Sequence, residues 1–182
     1  ETKDVVRAVH SLDIKTGEER ARDAHACQFG YRSSVFKDLK GAELITGATL
    51  FLNKGDEEAI RKSVQEKIDF RNARHPMEYP NIGSIFENVR VEGAPPALAT
   101  ECARVIKQDP FPVIPAAYLI AEAGLKGIAH GGAMISPKHP NFIVNVLRAN
   151  AEDVYALIEL VRAEVKKKFG IELKQEVQNV PQ

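Results

Sequence analysis

From residue 151 to 169, apolar side chains return every three or four positions. Val154, Leu157, Ile158, Val161, Val165 and Phe169 form one stripe, with charged residues filling much of the remainder. This spacing predicts an amphipathic helix lying on a sheet. Asn150 stands where an N-cap is needed with Asp153 three residues on, Lys166, Lys167 and Lys168 suit the negative end of the helix dipole, and Gly170 ends the run. A sparser recurrence, Ile60, Val64 and Ile68, follows Gly55 and Asp56 and predicts a second helix ending near Arg71. Pro95 and Pro96 precede a third, running to about Lys107, and "AAYLIAEA" is a short fourth stopped at Gly124.

Strand signals lie between these segments. Residues 4 to 14, "DVVRAVHSLDI", run into the polar turn "KTGEE" and predict a strand entering a hairpin. Residues 42 to 53, "AELITGATLFLN", and the segment "NFIVNVL" predict two more. The tail "IELKQEVQNV" alternates Ile171, Leu173 and Val177 with polar residues, the pattern of a strand with one wet face. Pro76, Pro80 and Gly83 predict an irregular loop, as do "VEGAPP", "DPFPVIP" and the glycines at 127, 131 and 132. Strands outnumber parallel βαβ units, so the predicted class is α+β, with antiparallel sheets and packed helices.

Composition narrows the function. The 182 residues carry 25 basic and 25 acidic side chains, so no net field favours nucleic acid or an anionic membrane, and an anionic ligand must be met by local groups. No apolar run approaches the roughly 20 residues that span a bilayer. Cys27 and Cys102 lie far apart without metal-ligand spacing, which fits a reducing cytoplasm better than a disulfide framework or a zinc site. The opening "ETKDVVRAVHSLD" reads as the interior of a strand-forming region, so the chain is expected to be part of a longer polypeptide.

Local chemistry gives separate signals, each with an ordinary alternative. In "QFGYRSSVFK", Arg32 sits in an apolar frame and offers a planar donor fork to a carboxylate or phosphate, although a strand-edge arginine paired with an acid is commoner. In "YPNIGSIFENV", Ser84 follows a glycine inside an apolar run. There is no GxSxG elbow and no neighbouring His/Asp pair, so the local reading is a turn serine. The glycines of "GLKGIAHGGAMIS" fit a tight connector better than a phosphate cradle, because they match neither phosphate-binding pattern. His25, His75, His130 and His139 have no metal spacing, His10 falls in a strand, and Glu176 lies on a polar strand face.

Taken in order, "GYRSSVF", "HPMEYPNIGSIFEN", "AEAGLKGIAHGGAMISPKHPNFIVN" and "FGIELKQEV" resemble the C-terminal half of the UDP-N-acetylenolpyruvoylglucosamine reductases, over nearly the whole chain. The resemblance implies a remnant of a flavin-binding domain at 1–72 and a substrate-binding α+β domain at 73–182, in a fragment lacking the N-terminal flavin-binding part. It implies FAD and NADPH as cofactors and UDP-N-acetylglucosamine enolpyruvate as substrate, in cytoplasmic peptidoglycan synthesis. NADPH reduces the flavin, which delivers hydride to the vinyl carbon. By resemblance Arg32, Ser84 and Glu176 are the catalytic residues: Arg32 steadies the substrate carboxylate, Ser84 protonates carbon, and Glu176 donates a hydrogen bond directly or through water. Tyr31, Asn88 and His139 are implied to bind substrate, and Arg71 and Arg74 to contact phosphate or flavin. The short interval between the YR and GS motifs matches the compact subtype, without an inserted capping segment. The chain departs from the family pattern at His75-Pro76 (usually Gln-Pro), Glu87, Val89 and Ala117. A non-catalytic UDP-sugar or partner-binding module and a related flavin oxidase are the competing readings.

Overall fold

The computed structural model describes residues 1–108 and 110–179. The chain divides into two compact units, Glu1–Arg61 and Lys62–Gln182. Its class is α+β, with antiparallel sheets and packed helices, as the strand and helix patterning predicts.

In the first unit, β1 (Val6–Asp13) turns back into β2 (Glu19–Asp23). The turn is made by the Asp13 carboxylate, which accepts from the N–H groups of Lys15 and Thr16 at 3.0 Å each, and by Gly17 at φ +72°. A short helix α1 (Val35–Asp38) leads to β3 (Glu43–Leu50), which pairs with the other side of β1 and gives the order β2-β1-β3. One face of this sheet holds charges. The Glu43 side chain, 1% exposed, accepts from Arg22 at 2.6 and 2.7 Å, from Arg20 at 2.7 Å and from the Ser11 hydroxyl at 2.7 Å. A buried carboxylate survives only if its lone pairs are met, and here four donors meet them. Phe36 lies over the Arg22 guanidinium at 5.5 Å.

Helix α2 (Glu57–Arg74) starts where Asp56 accepts from the Ala59 N–H at 2.8 Å. It runs three residues past the predicted end at Arg71. Its stripe Ile60, Val64 and Ile68 is exposed rather than packed.

The second unit is built on a sheet ordered β4-β9-β8-β7, comprising β4 (Asn81–Ser84), β7 (Ala129–His130), β8 (Ala133–Ile135) and β9 (Phe142–Asn145). A smaller ribbon pairs β5 (Val89–Arg90) with β6 (Val113–Ile114). Helices α3 (Pro96–Glu101), α4 (Ala116–Glu122) and α5 (Ala151–Phe169) complete it. Helix α5 is as predicted. Asn150 and Asp153 form a reciprocal capping box, Gly170 closes the helix in the left-handed conformation, and Leu157, Ile158, Val161 and Val165 are buried against a core that includes Ile120, Ile135, Ile143 and Leu173.

Several predicted elements differ. Helix α3 stops at Glu101 instead of Lys107, because the chain tightens into a turn through Cys102 and Val105 and Lys107 then exchanges two backbone hydrogen bonds with Val113. Residues 81–84 form a strand rather than a loop. The 127–132 glycines are not a plain loop either: Gly131 and Gly132 make the two-residue tip of the β7–β8 hairpin. The tail forms no regular strand among the described residues; Ile171 and Leu173 are buried as alternation requires, but only Gln175 makes a bridge, to Phe86. Residues 180–182 lie outside the described residues.

Folding holds the Glu43 carboxyl far down, to about 2 from the ordinary 4.5, chiefly through the Arg22 hydrogen bonds and then Ser11. Its contribution to stability is therefore present above pH 4.5 and drains away as pH falls towards 2. Glu43→Gln is expected to lower stability at neutral pH and to flatten the acid dependence across that window, as read by denaturant titrations at stepped pH.

Candidate active site

Ser84 is the last residue of β4, and its position follows from a bulge. Asn81 pairs with Val144 and Ser84 with Phe142, so β4 carries one residue more than β9 over this stretch. Gly83 absorbs the excess at φ +87°, a conformation costly to a side chain with a Cβ, and its N–H is held by Asn81 Oδ1 at 3.1 Å. The Asn81 amide also donates to the carbonyls of Pro76 and Tyr79, which ties down the preceding loop. Such a bulge re-aims the following side chain, and Ser84 is left half-buried at the strand end.

Beyond Ser84 the chain enters the core. Ile85 and Phe86 are 1% and 2% exposed. The Ile85 N–H donates to the Asn141 carbonyl at 2.8 Å, and the Asn141 side chain clasps the Phe86 peptide from both ends: Oδ1 accepts from its N–H at 3.0 Å and Nδ2 donates to its C=O at 2.9 Å. From the other side the tail closes in, with Glu87 N–H on the Lys174 carbonyl at 2.9 Å and Glu176 N–H on the Ile85 carbonyl at 2.8 Å. Glu176, half-buried, is thereby held one backbone rung from the residue that follows Ser84. Two residues 92 positions apart in sequence are thus brought to the same edge of the second unit.

Arg32 belongs to the first unit. It is exposed and sits in a tight turn in which Gly30 and Ser33 exchange backbone hydrogen bonds at 3.0 and 3.3 Å. Its backbone is left-handed at φ +54°, unusual for a residue with a long side chain and of the kind that gathers at functional sites. The Tyr31 ring lies 6.0 Å from its guanidinium, and its carbonyl accepts from Lys37 Nζ at 2.7 Å.

The remaining predicted residues fall in varied settings. Asn88 Oδ1 accepts from the Ala116 N–H at 3.1 Å, at the opening of α4, so it has a structural duty beside any contact through Nδ2. Arg71 and Arg74 are exposed in the last turn of α2, Arg74 stacked over Phe70 at 4.2 Å. His139 packs with His75 and Phe142 in a three-ring cluster, with centroids 4.8 to 5.2 Å apart. The Nδ1 atoms of both histidines are buried without a hydrogen-bond partner among the described residues. Burial pushes both imidazoles below their ordinary value, helped for His75 by Arg71, Lys138 and Lys107, and for His139 by His75 and Lys107. Lys138 reaches back to the α2 terminus, donating to the Asn72 carbonyl at 2.8 Å with Glu78 at 3.5 Å.

The Gly131–Gly132 tip is a connector and not a cradle. A Cβ on Gly131 would collide with the Asp153 carboxylate, and one on Gly132 with the backbone at Leu147 and Ala149. The space a phosphate would need is filled, and its nearest polar group is an anion: Asp153, whose carboxyl is held low chiefly by the Gly132 N–H. Among the described residues no group of three or more His, Cys, Asp or Glu is arranged to hold a metal ion, and no helix is long and apolar enough to cross a membrane.

Comparison with known proteins bears on the same segments. The family described as "UDP-N-acetylenolpyruvoylglucosamine reductase, C-terminal domain" matches residues 75–180. The chain belongs to this family. Among reductases carrying the family's name, that of Carboxydothermus hydrogenoformans is 40% identical over 178 residues, covering 98% of this chain and 51% of the relative, and that of Heliobacterium modesticaldum is 38% identical over 175 residues, covering 96% and 48%. The crystal structure of the Thermus caldophilus reductase superposes with a TM-score of 0.70 at 28% identity, over 98% of this chain and 54% of that one. The chain thus spans about half the length of the reductases it matches.

The residue that sequence reasoning missed is Asn141. No local signal marks it: an asparagine after Pro140 and ahead of the apolar run "FIV" reads as an ordinary turn residue, and only the folded structure brings its carboxamide to Phe86. Asn141→Ala strands the N–H and C=O of a buried residue together, and is expected to cost roughly 2–5 kcal/mol, seen as a lowered urea midpoint. The histidine cluster predicts a second effect. Imidazoles held neutral in the fold but free to protonate when unfolded stabilise above pH 6.5 and cease to do so as pH falls below it. His75→Phe is expected to weaken that loss of stability between neutral and mildly acidic pH, measured as the change of melting temperature with pH.

Proposed function

We propose that this chain is the substrate-side half of a UDP-N-acetylenolpyruvoylglucosamine reductase, acting in peptidoglycan synthesis on UDP-N-acetylglucosamine enolpyruvate with FAD and NADPH. The observation that carries the reading is the lacing of the tail against residues 85–87, which sets Glu176 beside the bulged end of β4 where Ser84 stands. An alcohol and a carboxylate at one half-buried edge suit a site that moves a proton.

The Gly131–Gly132 tip offers no phosphate cradle for a flavin. The one paired-glycine tip is closed by Asp153 and the Leu147–Ala149 backbone. We assign FAD and NADPH chiefly to the polypeptide the longer relatives possess beyond the matched half, with Arg71 and Arg74 as auxiliary contacts. When a hydride equivalent reaches the vinyl carbon of the enolpyruvyl ether, its electron pair displaces the π pair towards the adjacent carbon and its carboxylate. Arg32 offers the planar fork that pairs with that carboxylate and lowers the energy of the enolate-like charge. The Ser84 O–H then gives its proton to the carbanionic carbon, the new C–H bond completing the lactyl group, and the serine oxygen recovers a proton from solvent. Glu176 donates a hydrogen bond that steadies the same charge. Tyr31, Asn88 and His139 are assigned to binding the remainder of the substrate.

We set the boundary between the remnant of the flavin-binding domain and the substrate domain near residue 72, between the division of the compact units at Arg61 and the start of the family match at residue 75. Both cysteines are buried and free, which supports the cytoplasmic assignment.

The test uses the full-length reductase that contains this chain. Ser84→Ala is expected to leave reduction of the flavin by NADPH unchanged while slowing reduction of the enolpyruvyl substrate by about 10²- to 10⁴-fold, the range for a lost general acid. Equal loss in both half-reactions, separated by stopped-flow, would overturn the assignment.

A further inference from the structure

The tail that carries Glu176 meets the segment after Ser84 over a short stretch of backbone. Beyond the buried anchors Ile171 and Leu173, an antiparallel bridge joins Gln175 to Phe86, with the Glu87 N–H on the Lys174 carbonyl at 2.9 Å and the Glu176 N–H on the Ile85 carbonyl at 2.8 Å. This sets Lys174 opposite Glu87 and Glu176 opposite Ile85. So short a ladder specifies its register weakly unless side chains do it.

The opposed side chains do it here. Lys174 Nζ lies 3.0 Å from a Glu87 carboxylate oxygen, and the two ends differ: the Glu87 side chain is only 16% exposed, that of Lys174 76%. A carboxylate so far withdrawn from water needs a partner, and from residue 171 onward Lys174 is the one cation in the sequence. The residues two places on either side of it, which share its face of the strand, are Glu172 and Glu176. Sliding the tail by two residues in either direction would set carboxylate against carboxylate at residue 87, and sliding it by one would turn Ile171 and Leu173 out of the core. Glu172 is itself engaged by Arg162 and Lys166 of α5, at 3.4 Å each. Of these registers, the observed one alone satisfies both charge and burial. Glu87 is also a position at which the chain departs from the family pattern, so the pair is a device of this chain.

We propose that Glu87 and Lys174 are a positioning pair for the reaction: their opposite charges select the register of the tail and thereby set the Glu176 carboxyl at the site. Both act through Glu176 and not on the substrate. The proposal rests on the reductase reading above, and adds to it what fixes the third catalytic residue along its strand. A two-residue slip would carry Glu176 about 7 Å along the ribbon, whereas a misplacement of about 1 Å is already enough to impair a catalytic group.

Charge reversal in the full-length reductase, assayed below the unfolding range of every variant, tests this. Glu87→Lys and Lys174→Glu, taken singly, are expected to slow reduction of the enolpyruvyl substrate about 10- to 100-fold, with KM changed less than kcat and flavin reduction by NADPH unchanged. The double reversal restores the pair with its signs exchanged and is expected to return the rate to within about threefold of the parent. Glu87→Gln, which removes the charge without repulsion, is expected to show the same pattern at about 3- to 10-fold, and it keeps the test open if a single reversal fails to fold. Variants that lower the melting temperature while leaving substrate reduction within about twofold of the parent would make the pair structural only and overturn the proposal, as would a double reversal no faster than the singles. Ser84→Ala in the same assays separates the two readings. If it slows substrate reduction alone while the reversals change nothing, this inference falls by itself; if it slows both half-reactions equally, the catalytic assignment falls instead.

Discussion

The candidate site hangs on one amide. The sheet of the second unit needs β4 to end at Ser84, because the bulge at Gly83 has used up its register with β9, yet the core needs the next two side chains, Ile85 and Phe86, inside. Leaving a sheet and entering a core normally strands backbone donors and acceptors, each at a cost of roughly 1–3 kcal/mol. The Asn141 carboxamide removes the conflict because it has the same donor and acceptor pair as a peptide unit, and it serves Phe86 as a neighbouring strand would. With one side satisfied by Asn141 and the other by the tail, residues 85–87 are fixed from both flanks, and Ser84 and Glu176 inherit their positions from that fixation.

The two units solve burial in opposite ways. The second does it with oil: Ile, Leu and Val from α4, α5, β8 and β9 fill a continuous interior whose polar members, Ser136 and Asn141, are both hydrogen-bonded. The first does it with charge, placing the Glu43 carboxylate inside a fork of two arginines and a serine while much of its apolar surface faces outward. An ion cluster of this kind adds little net stability over a well-packed apolar core, but it fixes register, since a one-residue slip of β3 along β1 would carry Glu43 to the opposite face.

Local periodicity made part of this fold legible. Helix α5 was readable end to end because its stripe, its capping residues and its terminal glycine agree, and the β1–β2 turn was readable from the polar stretch "KTGEE" with Gly17, although the part Asp13 plays in it was not. The elements that escaped are those decided by distant partners. Residues 81–84 look like a loop because Pro80 precedes them and Gly83 interrupts them, and only β9 makes them a strand. The β5–β6 ribbon is two residues long on each side, too short to leave a pattern. The tail alternates as a strand should, but its hydrogen bonds go to a segment already clasped by Asn141, so few rungs are available to it. For the site, local chemistry left Arg32, Ser84 and Glu176 as unrelated weak signals; the ordered motifs joined them as a family resemblance, and neither hinted that Asn88 is also occupied in opening α4.

The Gly131–Gly132 tip has a mechanical consequence. With Asp153 against one glycine and the Leu147–Ala149 backbone against the other, there is no clearance for the hairpin to tilt without pushing the first turn of α5. Hairpin tip and helix start are therefore held in one close-packed arrangement, in which neither glycine can gain a side chain without displacing the Asp153 carboxylate or the Leu147–Ala149 backbone.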